Sequence, residues 1–357
     1  MRSSFLAVLF AATSVTQADP QLVEVASFPD QQVTGVTVSS KGRIFVNFPF
    51  WDERHTLSVA ELKDGKPQSF PDGRWNSKEG DAATRFVCVQ SVVCDKGDHL
   101  LVVDTGSPMQ QGVIANGAKL VEIDLTTDKV VRTFPMGPDV APAASYLNDI
   151  RIDRENQSAY LTESGEGSLI VVDLSSGRAR RLLENHPSTH AEPSKVLVVG
   201  DEKPVDPKTG GTPRFHADGI ALDEQGGWLY YHALTGDTLY RVPTAALRNP
   251  ALSPEALAAK VEKVAVTSSP DGMIEDNQGG IYLAAFEKSA VTRFDIAAGK
   301  ETLIVRDDRL KWPDTFSWGP DGWLYVTTSQ IHLMPKYNRG ENKRIEPFRV
   351  YKVKSGN

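Results

Sequence analysis

Asn148, Asp218, Asp271 and Asp314 stand in one recurring setting: each is followed two residues later by an apolar, β-prone run, at Ile150, Ile220, Met273 and Phe316. Oxygen donors of this kind suit hard cations such as Ca²⁺ or Mg²⁺. Carboxyls held close together do something else. They drive one another's pKa values apart and yield one acid and one base. The three aspartates are therefore candidate catalytic groups, and all four residues are candidate ligands for a divalent metal. Asp-Gly pairs are also ordinary turn formers, as expected at Asp72-Gly73 and Asp321-Gly322. Asp218-Gly219 and Asp271-Gly272 precede strands instead of joining hairpins, which favours a chemical role. Gly219 and Gly272 are expected where a side chain would crowd the axis.

His216 lies two residues before Asp218, so both side chains can face one side of an extended segment. An imidazole beside a carboxylate can act as general base or acid near neutral pH. His216 is thus the fourth candidate catalytic residue, with His232 and His332 behind it. Gln90, Asp104, Asn148, Asp149 and Glu163 flank the same strand ends and are candidate ligand-binding groups. Phe215 and Trp312, with Tyr146, would wall such a site with aromatic surface, or pack between structural units. No Gly-x-Ser-x-Gly, His-Glu-x-x-His, P-loop or dinucleotide fingerprint stands in strand–helix context, so no nucleotide cofactor is expected.

The elements that must position these residues form a repeat. Six times an apolar strand leads through an Asp- or Gly-rich turn into a second strand, as in Val92-Val-Cys-Asp-Lys-Gly-Asp-His-Leu-Leu-Val and Ile220-Ala-Leu-Asp-Glu-Gln-Gly-Gly-Trp-Leu-Tyr. The other copies start at Val36, Ile150, Met273 and Phe316. A second hairpin follows most copies, for example Ser168-Leu-Ile-Val-Val-Asp-Leu-Ser-Ser-Gly-Arg-Ala-Arg-Arg-Leu-Leu. Two hairpins make a four-stranded blade, and six blades around a channel make an all-β, six-bladed propeller. Leu22-Val-Glu-Val-Ala-Ser-Phe and Phe348-Arg-Val-Tyr-Lys-Val are expected to share the last blade, closing the ring and removing open sheet edges. The ring would then gather the four acid and amide residues at one channel mouth. Segments 185–215 and 243–260, with the shorter 109–118 and 136–145, read as insertions between strands, the second carrying a short helix.

The chain has 357 residues, 40% hydrophobic and 24% charged, with a formal charge of −7. That composition allows a sizeable core, and the absence of a long basic run argues against nucleic-acid binding. Arg2, the apolar run Phe5–Ala12, and small residues Thr16 and Ala18 read as a signal peptide over residues 1–18, with the propeller in 19–357. A secreted or periplasmic location follows, with no transmembrane segment and a monomeric state expected. Cys88 and Cys94 lie in one extended run. Six residues there span roughly 20 Å, against the ~7 Å a disulfide allows, so buried thiols are expected.

Leu147-Asn-Asp-Ile-Arg-Ile-Asp, Ser168-Leu-Ile-Val-Val-Asp-Leu, Asp218-Gly-Ile-Ala-Leu, Asp271-Gly-Met and Trp312-Pro-Asp-Thr-Phe together resemble the major royal jelly protein/Yellow family, in order, from about Gly35 to near the C-terminus. The resemblance implies a secreted six-bladed propeller. Among relatives it implies dopachrome conversion, biogenic-amine binding or a nutritive role; bacterial members, which the short signal resembles, are commonly labelled dopachrome tautomerase-related. The family is also similar in fold to gluconolactonase/senescence-marker hydrolases, which hold a divalent metal with one Glu, two Asn and one Asp. Asn148, Asp218, Asp271 and Asp314 occupy comparable places, while Thr34-Gly35 stands where the first-blade Glu would be. The expected function is a small-molecule site acting as an isomerase or tautomerase on an oxidised catechol-type substrate. A metal-dependent lactone or ester hydrolase and a non-enzymatic binder of small aromatic ligands are the alternatives.

Overall fold

The computed structural model describes residues 22–223 and 227–354. They form six four-stranded antiparallel sheets. The innermost strands are Gly35–Val38, Val89–Cys94, Leu147–Asp153, Ala217–Asp223, Pro270–Glu275 and Pro313–Trp318, one for each of blades one to six. They neighbour one another cyclically, first against last, around a central channel. In blade six the N-terminal strand Leu22–Phe28 lies outside Phe348–Lys354, with Leu22 opposite Val353 and Phe28 opposite Phe348. The expected closure is thus observed. The segment read as a signal peptide lies outside the described residues. Among those described, no helix is long and apolar enough to cross a membrane.

Alternation along each strand explains the ring. Successive side chains point to opposite faces of a blade, and each face packs on a different neighbour. Leu100 and Val102 join the cluster shared with Phe45 and Val59 of blade one. Leu101 and Val103 join the cluster shared with Ile150 and Leu161 of blade three. A strand buried on both faces must read as a continuous apolar run, and Leu100-Leu-Val-Val does. Each such side chain contributes about 1.5–3 kcal/mol on burial. The repeated turn aspartates serve the channel end away from the site. Asp95 Oδ1 accepts the N–H groups of Gly97 and His99, and Asp276 Oδ1 those of Gln278 and Gly280.

Six apolar clusters fill the seams between blades. A seventh caps one end of the channel. It joins Leu197 and Val199 from insertion 185–215 to Ile331, Met334 and Tyr337, with Trp51, Cys88, Phe286 and Trp312. Segment 329–347, which separates the second and third strands of blade six, is an insertion that the repeat pattern does not reveal. Segment 243–260 carries two helical turns, Thr244–Arg248 and Pro254–Ala258. Cys88 is buried and Cys94 partly so, and both are free thiols.

Candidate functional site

A shared backbone irregularity presents the four residues. In blades three to six the pairing between the first two strands skips at the start of the inner strand: between Leu147 and Ile150, Ala217 and Ile220, Pro270 and Met273, and Pro313 and Phe316. Each skip is a β-bulge, which re-aims a side chain that strict alternation would have spent in a seam. Asn148, Asp218, Asp271 and Asp314 are the first residues of these bulges.

The bulges pack tightly against one another. A Cβ on Gly219 would lie 2.5 Å from the Asp271 carbonyl oxygen, and one on Gly272 only 2.2 Å from that of Asp314. Glycine is required there because the next blade's backbone fills the space. Threonines on second strands stitch neighbouring bulges: Thr162 Oγ1 donates to the Asp218 carbonyl at 2.5 Å and accepts the Asp149 N–H at 3.2 Å. Thr327 does the same between blades six and one, through the Thr34 carbonyl and the Thr315 N–H. In blade one Asn47 Nδ2 donates to the Val89 and Gln90 carbonyls.

The side chains meet. Asn148 Nδ2 donates to Asp218 Oδ2 at 2.6 Å and to Ser164 Oγ at 3.1 Å. The Asp271 carboxyl is close enough for its charge to act on Asp218. Trp312 Nε1 donates to Asp271 Oδ2 at 2.5 Å. Asp314 Oδ1 accepts from Thr315 Oγ1 at 3.1 Å. Exposure is 5% at Asn148 and Asp271 and 3% at Asp218 and Asp314, so water screens these charges poorly.

Burial, followed by the charges of Asp271, Asp149 and Asp314, holds the Asp218 carboxyl well above the usual range. Burial and then the Asp271 and Asp149 charges do the same to Asp314. Burial pushes Asp271 up to about 7, against the pull of the Trp312 N–H. Asp149 is raised by burial, while the charge of Arg151 opposes the shift. The cluster therefore retains protons at neutral pH, and Asp271 is the member poised to exchange one. Asp218 Oδ1 and Asp314 Oδ2 are buried without a hydrogen-bond partner. These orphaned oxygens match a hard cation in kind. Asn148 and Asp218 are instead hydrogen-bonded to each other, Asp271 to Trp312 and Asp314 to Thr315, and among the described residues no three His, Cys, Asp or Glu side chains surround a single ion position.

Other expected site residues have different employment. His216 does not pair with Asp218. Its Nδ1 accepts the Ala191 N–H at 3.0 Å, and its ring packs edge-on against His190 at 4.9 Å. Burial pushes its pKa down to about 4. A ring nitrogen that accepts an amide hydrogen carries no proton, so His216 is neutral with its hydrogen on Nε2. The expected alternation fails because the Asp218 bulge interrupts it.

Asp104 and Glu163 are structural. Asp104 is fully buried, 2.6 Å from the equally buried Lys119 Nζ, and accepts the N–H groups of Val87, Cys88 and Gly106. Glu163 accepts the N–H groups of Tyr146, Gly165 and Glu166 and pairs with Arg181 at 2.8 Å. Neither carboxylate has capacity left for a ligand. Gln90 Oε1 accepts from the Tyr146 hydroxyl, which accepts from Trp51 Nε1. Phe215 packs edge-on against Tyr337, and Trp312 is stacked between Phe286 and His332. The aromatic set is therefore the cap itself. Trp312 holds a left-handed φ of 58°, rare for a bulky residue, and its indole is the cap's direct link to Asp271.

Comparison with known proteins agrees with this architecture. The chain is 27% identical to major royal jelly protein 1 of Apis mellifera over 208 residues, 54% of this chain and 45% of that relative. The chain thus matches about half the length of this curated relative. Among solved structures, a gluconolactonase from Xanthomonas campestris superposes with a TM-score of 0.58 at 11% identity, covering 98% of this chain and 94% of that one. A calcium-binding protein, regucalcin, from Agrobacterium tumefaciens superposes with a TM-score of 0.57 at 15% identity, covering 94% and 96%. At such identities the likeness shows the fold alone. Residues 87–345, well over half of the chain, match the family model of the major royal jelly protein, and the chain belongs to that family.

Proposed function

We propose that the capped channel mouth is an acid–base site that isomerises a small oxidised catechol-type substrate outside the cytoplasm, in a secreted or periplasmic protein. The observation carrying this reading is the buried cluster in which Asn148 Nδ2 holds Asp218, Trp312 Nε1 holds Asp271, and the charges of Asp271 and Asp314 act on Asp218. Tautomerisation breaks a C–H bond and the C=O π bond, and forms a C=C π bond and an O–H bond. Ionised Asp271 takes the proton from carbon. Protonated Asp218 or Asp314 delivers one to the carbonyl oxygen, and Asn148 Nδ2 fixes Asp218. The proton taken up by Asp271 then returns to the carboxyl that gave one, which restores the starting charges. Entry requires Trp312 to release Asp271 and the cap to part.

The test is turnover of dopachrome followed by loss of its visible absorbance. Asp271→Asn keeps an acceptor for Trp312 and removes the base. Turnover should fall by about 100-fold or more, the usual worth of a general base, with thermal unfolding little changed. Equal turnover in the variant would overturn the proposal. Saturable binding without turnover, across a panel of aromatic substrates, would select the non-enzymatic binder instead.

The orphaned oxygens of Asp218 and Asp314 favour a second reading, a divalent-cation site at the same carboxyls. Asn148, Asp218, Asp271 and Asp314 would hold the ion, and Ca²⁺ there would supply Lewis acidity for lactone or ester hydrolysis. Two propellers of similar fold, a gluconolactonase and the calcium-binding regucalcin, support it. Calorimetric titration with Ca²⁺ decides: stoichiometric binding abolished by Asp218→Asn upholds this reading, and absence of binding at millimolar Ca²⁺ removes it.

A further inference from the structure

Outside the channel a cleft of about 370 Å³ opens where insertion 185–215 meets segment 329–347. Val199, Leu333 and Ile345 supply apolar wall, and His332 lines it with them. That imidazole is 94% buried, stacked on Trp312 at 5.5 Å, and kept neutral by burial. A second cleft, of about 190 Å³, shares Asp308, Lys311 and Ile345 with the first. The volume suits one small molecule.

The charges lining the larger cleft are of two kinds. Lys343 is neutralised by Glu202, 2.9 Å away. The half-buried Lys311 ammonium makes no ion pair or side-chain hydrogen bond among the described residues, and neither do the exposed carboxylates of Asp308 and Asp201. An unmatched cation and unmatched anions thus share one concave surface without reaching one another. A ligand carrying one charge would satisfy half of that surface, whereas a zwitterion satisfies both.

We propose that this cleft is a second small-molecule site, taking an apolar α-amino acid. Its carboxylate binds Lys311, its ammonium binds Asp308, and its side chain lies against the exposed Ile345 and the edges of Val199 and Leu333. Binding in this cleft and turnover at the channel are separate readouts, so the failure of one proposal leaves the other standing.

Titration calorimetry on the intact protein tests this with L-phenylalanine as probe. N-acetyl-phenylalanine lacks the ammonium, and phenethylamine lacks the carboxylate. L-phenylalanine should bind one to one, and either analogue should bind at least about tenfold more weakly. Lys311→Met should weaken L-phenylalanine by about tenfold or more. Asp308→Asn should restore near parity between L-phenylalanine and its N-acetyl analogue. Asp271→Asn, in the channel, should leave binding unchanged. Both cleft substitutions lie at solvent-reachable positions, and circular-dichroism melts check that the fold is kept. Absence of saturable L-phenylalanine binding at millimolar concentration, equal affinity in Lys311→Met, or equal binding of the N-acetyl analogue to the wild type would each overturn the proposal.

Discussion

Lys119→Met should destabilise the propeller by about 3–5 kcal/mol, because it strands the Asp104 carboxylate in a site without water. Lys119 is 1% exposed and Asp104 fully buried, and their 2.6 Å contact ties the second strand of blade two to the third. Methionine nearly matches the lysine stem in volume, so the loss reports the missing charge rather than a cavity. Urea unfolding measures it as a lowered midpoint at constant slope. Adding Asp104→Asn to Lys119→Met should recover part of the loss, because the amide oxygen still accepts backbone N–H groups and carries no charge. A midpoint shift of less than about 1 kcal/mol for Lys119→Met would mean that Asp104 is solvated, and would return it to the ligand-binding candidates.

The second large effect is a pH dependence opposite to that of an ordinary carboxylate. Asp271 titrates at about 7 in the fold against 3.8 ordinarily. Below the lower value both folded and unfolded chains hold the proton. Between the two the unfolded chain releases it and the folded chain keeps it, so stability falls as pH rises across this window. Asp218 and Asp314, also raised by burial and mutual repulsion, extend the loss. The buried imidazoles of His55, His216 and His332, each pushed down to about 4, act the other way and lose stability as pH falls below their ordinary value. The discriminating quantity is therefore the difference between Asp218→Asn and wild type. That difference should move in favour of the variant from pH 4 to pH 8, by more than the ~1.4 kcal/mol that one pKa unit represents. Thermal melts at several pH values measure it, and a difference independent of pH would refute a cluster of buried, mutually repelling carboxyls.

The ring was legible in the chain because its determinants are local. A hairpin needs two β-prone runs and a turn, and six copies of that pattern stand in order from Val36 to Val326. Closure was legible for a similar reason: Leu22–Phe28 and Phe348–Lys354 are strands that would otherwise leave edges. The ring in turn brings Asn148, Asp218, Asp271 and Asp314 to one mouth. Which polar residues keep free valence there was not legible. Asp104 and Glu163 looked as available as Asp218, yet Lys119 on the adjacent strand, Arg181 on the outermost strand of blade three and amides from adjoining turns saturate them. His216 lost its expected partner to a backbone N–H of Ala191, in the insertion that leads up to it, and to a bulge that broke the alternation. The cap was hidden too, because segment 329–347 has no repeat to betray it and its apolar residues find partners only across the channel mouth. Periodicity encodes strands, turns and their order. Whether a buried oxygen is satisfied depends on which remote segment folds against it, and only the tertiary structure decides that.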